Sequence, residues 1–247
     1  MRWMSWCKRF EAFTLVELLV VISTIALLLG ILLLSLGKAR AQARSVVCKS
    51  ILRNLALAHQ QYVAETGMYL PHTGYDPYTP WYNNDYFRQA VGLPRASDEQ
   101  KQRRQQIQEW QANVPRNLIC PQARYAPEHP ESGLYPIDRS YGVNVECDAD
   151  AMRRGVGSLF DKESWVRQSA TKLFLADALD WWITYLNCRR YFEYGENYTG
   201  FETYGAVACR HFGRMNLIYW DGHVGQLPAE QVVNDSSLWY PFKLEQE

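Results

Sequence analysis

The sequence lacks the short motifs that mark the common hydrolase and nucleotide-binding classes. It contains no G-x-S-x-G, no H-E-x-x-H, no P-loop and no G-x-G-x-x-G. An excess of one charge is also missing, because 26 Lys and Arg residues balance 26 Asp and Glu residues. No basic surplus therefore points to nucleic acid. Asp177, Asp180 and Glu193 are scattered acids rather than a paired acid–base set, so we expect no catalytic residues and no enzyme.

What the sequence has is one long apolar run, from Ala12 to Gly37, that contains a single charged residue, Glu17. A helix needs roughly 20 apolar residues to cross a bilayer, so this run is long enough. A carboxylate inside such a helix costs on the order of a few kcal/mol. Glu17 therefore needs a partner, and a plain membrane anchor would not supply one.

The residues before the run form a short basic leader, and the polar break lies before the apolar run, whereas a secretory signal is cut after it. Together they resemble the type IV prepilin and pseudopilin superfamily. Ala12 stands where that family usually has Gly. The matching residues are Lys8, Arg9, Ala12, Phe13, Thr14, Leu15, Val16 and Glu17.

The resemblance implies that a prepilin peptidase cuts between Ala12 and Phe13 and methylates the new amine. Glu17 would then meet the Phe13 amine of a neighbouring subunit, and the two charges would offset each other's desolvation. The implied location is a single pass of the inner membrane, or a cell-surface filament, with other pilin-like subunits as partners. The leader would be cytoplasmic and the head extracytoplasmic, although Lys and Arg counts at the two flanks favour the opposite orientation.

The helix is predicted to continue beyond the apolar run, from Phe13 to Glu65, and to end at Thr66-Gly67. Apolar residues at steps of three and four support this. The predicted organisation is a leader at 1–12, a transmembrane helix at 13–37, an amphipathic continuation at 38–66 and a pilin-like head at 67–247. The stripe comprises Val47, Ile51, Leu55, Ala58 and Tyr62.

The sequence of the head predicts short strands with a helical insertion near 98–112, where Ser97-Asp98-Glu99-Gln100 resembles a helix start. The predicted fold is α+β, with the long helix packed on a small antiparallel sheet. An Asp-Gly pair between two β-rich runs predicts a hairpin with a two-residue turn. The predicted strands are Leu118–Pro121, Ser140–Asn144, Lys172–Asp177, Met215–Trp220 and His223–Leu227.

The C-terminal part contains His211, nine further residues and then Asp221-Gly222. This spacing resembles a signature of pilin-like proteins that are abundant in planctomycete-type bacteria. Two interpretations remain open. His211 hydrogen-bonds a backbone carbonyl or Asp221 at a structural turn, with no cofactor; or His211, Asp221 and His223 hold Zn²⁺ or Ca²⁺.

Five cysteines remain once the leader with Cys7 is removed, so at least one is unpaired. An oxidising compartment permits disulfides, and we expect Cys48 to pair with Cys120. A zinc site is the rival interpretation, although the lack of any C-x-x-C spacing weighs against it.

The expected function is a structural subunit of a type II secretion pseudopilus or a type IV pilus-like filament. The alternative is a membrane-anchored envelope protein whose head binds carbohydrate or another surface component. Aromatic pairs such as Trp81-Tyr82 and Trp181-Trp182 suit sugar stacking and favour that alternative.

N-terminal sequencing of membrane-extracted protein separates these two functions. We expect an N-methylated Phe13 at the new terminus, because the filament function depends on that amine. An intact Met1 in working protein would contradict the prediction and favour a plain anchor.

Overall fold

The computed structural model describes residues 14–69, 81–94, 113–146, 166, 168–196 and 204–241. The chain divides into two compact units, Met1–Gln42 and Ala43–Glu247. The α-helices of the described residues are α1 (Leu15–Thr66), α2 (Asp85–Ala90), α3 (Tyr125–Glu128), α4 (Arg190–Tyr194) and α5 (Ala229–Asn234). Their strands are β1 (Asn113–Val114), β2 (Tyr135–Pro136), β3 (Tyr141–Asn144), β4 (Leu173–Asp177), β5 (Trp182–Ile183), β6 (Arg214–Tyr219) and β7 (Val224–Pro228).

Helix α1 is continuous, as predicted, and ends where Gly67 adopts the left-handed conformation at φ 69°. Glycine suits that position because it has no Cβ to clash. The large apolar side chains from Leu15 to Leu36 are all exposed. Among the described residues, α1 is the helix long and apolar enough to cross a membrane.

The later part of α1 is buried within the second unit. The predicted stripe is confirmed at Ile51, Leu55, Ala58 and Tyr62, but it is wrong at Val47, which is 50% exposed. Cys48 takes the inward position instead, because it lies one turn before both Ile51 and Leu52, whereas Val47 lies one turn before Ile51 alone, at the edge of the buried face. The buried residues of α1 are Ser45, Cys48, Ile51, Leu52, Leu55, Ala56, Ala58, His59, Tyr62 and Val63.

A five-stranded sheet with the order β5-β3-β4-β6-β7 forms the centre of the second unit. The α+β class is therefore confirmed, but the prediction of a purely antiparallel sheet is wrong. Strand β5 pairs with β3 in parallel, with Trp182 opposite Val143. The connection from β4 to β5 passes the end of β3, and Asp180 fixes it by accepting hydrogen bonds from the backbone of Trp181 and Gly205.

The predicted strands over 140–144 and 172–177 are confirmed as β3 and β4. The predicted edge strand at Leu118–Pro121 is wrong, because a 3₁₀ helix over Arg116–Leu118 occupies its start. Beyond that helix, the backbone N–H of Cys120 donates to Ser140 Oγ rather than to a strand partner. The helical insertion predicted near 98–112 lies outside the described residues.

The β6–β7 hairpin is confirmed, but its turn has three residues rather than two. Tyr219 N–H donates to His223 O at 3.0 Å, and Gly222 N–H donates to Tyr219 O at 2.9 Å. Gly222 has φ 89°, which three-residue hairpin loops require at the final position. Trp220, the first residue of the turn, donates its backbone N–H to Lys172 O at 3.1 Å, and its ring is fully buried against Phe174.

The two faces of the sheet pack against different hydrophobic clusters. Ile218 belongs to the cluster that contains the buried half of α1. Met215 and Leu217, on the opposite face of β6, belong to a second cluster with Val232 and Trp239. Every residue of β4 is buried, so the end of this strand lies in the interior of the second unit.

Gly142→Ala is expected to lower the free energy of unfolding by about 1–3 kcal/mol. A Cβ at this position would lie 2.4 Å from the backbone oxygen of Asp180 and 2.9 Å from Ala178 Cβ, so the backbone would have to move. Denaturant titration of the full chain in detergent, followed by tryptophan fluorescence, measures the change. Gly37→Ala is the control, because its Cβ would meet nothing within 4 Å. An unchanged midpoint for Gly142→Ala would contradict this packing.

Candidate functional site

Four side chains with metal-ligating atoms converge at one buried point of the second unit. They are Cys48, Cys120, Asp177 and His211, and their ligating atoms all lie within 4.8 Å of one another. Each side chain is fully buried. We call these four residues the buried cluster.

Each member of the buried cluster comes from a different segment of the chain. Cys48 lies on the buried side of α1, and Asp177 is the last residue of β4. Cys120 is held through its backbone by Ser140 Oγ at 2.8 Å. His211 precedes β6 and exchanges two backbone hydrogen bonds of 3.1 Å with Arg214. The cluster therefore forms only when helix, sheet and C-terminal segment are assembled.

The Asp177 carboxylate is the centre of the hydrogen bonds in the cluster. Cys48 donates its thiol hydrogen to Asp177 Oδ1 at 3.2 Å. Asp177 Oδ2 lies 3.2 Å from His211 Nε2 and accepts the backbone N–H of Asn216 at 2.9 Å. Cys120 Sγ lies 3.5 Å from the same His211 nitrogen. One carboxylate thus bridges α1, β6 and the histidine.

Arg210 places a buried positive charge beside the cluster. Its Nε donates to Glu196 Oε1 at 2.5 Å, and its terminal nitrogens donate to the backbone oxygens of Ser140 and Ala178. Burial acts to lower the pKa of Arg210, but the charge of Glu196, followed by those of Cys120 and Asp177, raises it. The guanidinium therefore stays cationic.

The same surroundings shift the pKa values of the Cys48 and Cys120 thiols in opposite directions. Burial raises the pKa of Cys48 well above its usual value. Burial and the Asp177 charge act to raise the pKa of Cys120, but its interactions with Cys48 and His211 and the Arg210 charge outweigh them and bring the pKa to about 6. Burial acts to lower the pKa of His211, but hydrogen bonds to Asp177 and Cys120 raise it to about 9. The pKa shifts of Cys120 and His211 have a common cause, the contact between the Cys120 sulfur and His211 Nε2 at 3.5 Å.

The cluster is closed to substrates because all four side chains are fully buried. A catalytic thiolate and histidine would need an opening through which a reactant could reach them. The donor set includes sulfur and imidazole nitrogen, which suit zinc, whereas calcium prefers oxygen ligands only. Structural roles, with or without a metal, fit this arrangement better than catalysis.

The structure does not bring the predicted ligands His211, Asp221 and His223 together. Asp221 and His223 form a partly exposed pair of their own at the β6–β7 turn, with Asp221 Oδ1 2.6 Å from His223 Nδ1. His211 contacts Asp177 instead of Asp221. The sequence alone predicts Asp177 to be a scattered acid with no functional partner. The signal that could have singled it out was its place at the end of a fully apolar strand, where a charge needs a partner.

Cys48 and Cys120 do come together, as their predicted disulfide requires, and both are free thiols.

Ala12 and Phe13, the predicted processing residues, lie outside the described residues. Glu17 is described, and it forms a capping box with Thr14 at the start of α1. Glu17 Oε2 accepts the Thr14 backbone N–H at 2.9 Å and the Thr14 hydroxyl at 2.8 Å, while Glu17 N–H donates to Thr14 Oγ1 at 3.2 Å.

Comparisons with protein-family models, with curated proteins and with solved structures find no match for this chain. The function of this chain is therefore inferred from its residues and their geometry.

Asp177→Ala is expected to lower the free energy of unfolding by about 3–5 kcal/mol, because it leaves a buried histidine and a buried backbone donor without their acceptor. Denaturant titration of the full chain in detergent measures the loss.

Asp221→Ala is the matched control, since it also removes a carboxylate from a histidine. Its pair is partly exposed, so we expect a loss of no more than about 1 kcal/mol. Equal losses for the two variants would contradict the central place of Asp177.

Proposed function

We propose that this chain is a prepilin-like structural subunit of a type II secretion pseudopilus or a type IV pilus-like filament. A prepilin peptidase matures it by cutting between Ala12 and Phe13. The observation that carries the proposal is α1, a single helix whose first part exposes a largely apolar surface with one charge, Glu17, and whose later part has one face buried within the second unit.

The exposed apolar surface from Leu15 to Leu36 needs a cover that the chain itself does not supply among its described residues. A bilayer covers it before assembly. In a filament, the corresponding helices of neighbouring subunits would take over that role through close packing of apolar side chains. A plain anchor needs the bilayer alone, so this surface is compatible with both functions and Glu17 must distinguish them.

Glu17 has a partner within its own chain, but that partner does not neutralise it. Both hydrogen bonds from Thr14 go to Oε2, and within the described residues Oε1 accepts none. The capping box satisfies backbone and hydroxyl groups while the negative charge remains. A methylated amine at Phe13 of the next subunit would supply the missing positive charge and set the register between neighbouring helices.

The alternative function, an anchored head that binds carbohydrate, loses part of its basis. Trp81 and Tyr82 are fully buried core residues and have no free ring face for a sugar. Trp181 and Trp182 are half-buried, with ring centroids 6.3 Å apart and planes tilted by 56°. They do not form a flat, open stacking platform.

Glu17→Gln tests whether the charge or the cap matters. Glutamine can replace glutamate in a capping box, so the start of the helix is kept while the charge is lost. We expect Glu17→Gln, like Glu17→Ala, to insert in the membrane and to be cleaved before Phe13, yet to be depleted from filaments at least about tenfold, the equivalent of roughly 1.4 kcal/mol. Co-expression with a tagged wild-type copy, followed by quantification of both in the sheared filament fraction, measures this ratio.

Thr14→Ala is the complementary control, because it removes the cap and keeps the carboxylate. We expect it to enter filaments at a level close to that of wild type. The opposite result would contradict the proposed pairing. If Glu17→Gln entered filaments at the wild-type level while Thr14→Ala was excluded, Glu17 would act only as a helix cap.

A further inference from the structure

We propose that Cys48, Cys120, Asp177 and His211 form a structural zinc site in the head. The site is independent of filament assembly, since all four ligands belong to the second unit. It differs from the metal site that the sequence predicted, with which it shares His211 alone.

The spacing of the ligand atoms matches a tetrahedral metal centre. Zinc lies about 2.3 Å from sulfur and about 2.0–2.2 Å from nitrogen or oxygen, so neighbouring ligand atoms of a tetrahedron are roughly 3.3–3.8 Å apart. Cys48 Sγ is 3.2 Å from Asp177 Oδ1, and Cys120 Sγ is 3.5 Å from His211 Nε2. His211 Nε2 is 3.2 Å from Asp177 Oδ2. The two contacts of Asp177 involve different oxygens, and the four ligand atoms lie within 4.8 Å of one another, so rotation of the carboxylate and a small contraction would place one oxygen, two sulfurs and Nε2 around one ion.

The donor types select the metal. Two sulfurs, one imidazole nitrogen and one carboxylate oxygen make a mixed set that zinc binds with four-coordinate geometry. Calcium and magnesium are disfavoured because sulfur is a poor ligand for hard cations. The full burial of all four residues leaves no open position for water or substrate, which is the pattern of a structural and not a catalytic zinc site.

The charges also favour a cation at this point. With both thiols deprotonated, the four ligands carry three negative charges, and Zn²⁺ offsets two of them. Arg210, which interacts electrostatically with Cys120 and Asp177, is close enough to offset part of the remainder. Burying several titratable groups is costly unless each has a partner, and one ion gives all four the same partner. Binding releases to solvent the protons that the ligand atoms carry before the ion binds.

Such a site would fasten parts of the chain that are distant in sequence. Cys48 and Asp177 are 129 residues apart, and Cys120 and His211 are 91 residues apart. The ion would therefore join the buried part of α1, the segment after the 3₁₀ helix, the end of β4 and the segment before β6. Because an unfolded chain does not present these ligands together, metal binding would add directly to folding stability.

The main rival is a disulfide between Cys48 and Cys120. That bond would remove both sulfurs from the ligand set and leave Asp177 and His211 as a pair. A disulfide and a thiolate-bound zinc ion exclude each other, so one preparation can distinguish them.

The first test uses wild-type full-length chain purified in detergent without chelator or reductant. Elemental analysis is expected to find about one zinc ion per chain. Alkylation of the denatured protein after zinc removal, read by mass spectrometry, should label Cys48 and Cys120 as free thiols. Replacement of zinc by Co²⁺ should give the absorption bands of a tetrahedral cobalt centre with thiolate ligands, a readout that does not depend on any variant's folding.

The second test compares variants. Cys120→Ala and His211→Ala are each expected to lower the zinc content at least about tenfold. Asp177→Asn keeps an acceptor for Asn216 N–H but weakens the ligand, so we expect roughly 10–100-fold weaker binding in a competition with a chromophoric chelator. Cys188→Ala and His223→Ala are matched controls outside the cluster and should retain the full zinc content.

Three results would each overturn the proposal. The first is wild-type chain with no zinc and no cobalt spectrum after incubation with either metal. The second is a Cys48–Cys120 disulfide in the native chain. The third is a zinc content that falls equally in His223→Ala and His211→Ala, which would place the metal at the β6–β7 turn.

Discussion

The buried carboxylate of Asp177 is the group on which the arrangement of the head depends. It ends a strand whose five residues are all buried, so water cannot solvate it. Its partners must therefore come from the protein, and they come from three directions: the thiol of Cys48, the ring of His211 and the backbone N–H of Asn216. Helix, central strand and C-terminal segment are fixed relative to one another within the second unit because each satisfies the same buried charge.

The interval between His211 and Asp221-Gly222 acquires a physical meaning in the structure. The nine residues between them consist of Phe212-Gly213, strand β6 and Trp220. The turn before β6 directs the histidine into the buried cluster, and the turn after it places Gly222 at a positive φ. The nine-residue spacing therefore corresponds to the length of one strand and the turn residues at its two ends. The two ends of this segment have different structural roles, which is why they do not share a ligand site.

Helix α1 carries a polar side chain in apolar surroundings in each of its two parts. In its first part Glu17 is the one charge among exposed apolar residues, and the Thr14 cap satisfies hydrogen bonds without removing that charge. In its later part Cys48 takes an inward position beside a buried acid. In both places a polar group lies in apolar surroundings, and such a group is retained at a cost unless it has a specific partner. The proposed partners are a neighbouring subunit's amine for Glu17 and a zinc ion for Cys48.

The sequence by itself determined the long helix and its end at Gly67, strands β3 and β4 and the β6–β7 hairpin, because hydrophobic periodicity and glycine chemistry are local properties. It also pointed to Glu17, since one charge in an apolar run is visible without a fold. Only the tertiary structure decided the parallel pairing of β5, the inward turn of Cys48 and the three-residue turn that buries Trp220. The cluster around Asp177 belongs to the same group, because its members are spread along the chain from Cys48 to His211 and no short motif records a contact made by folding.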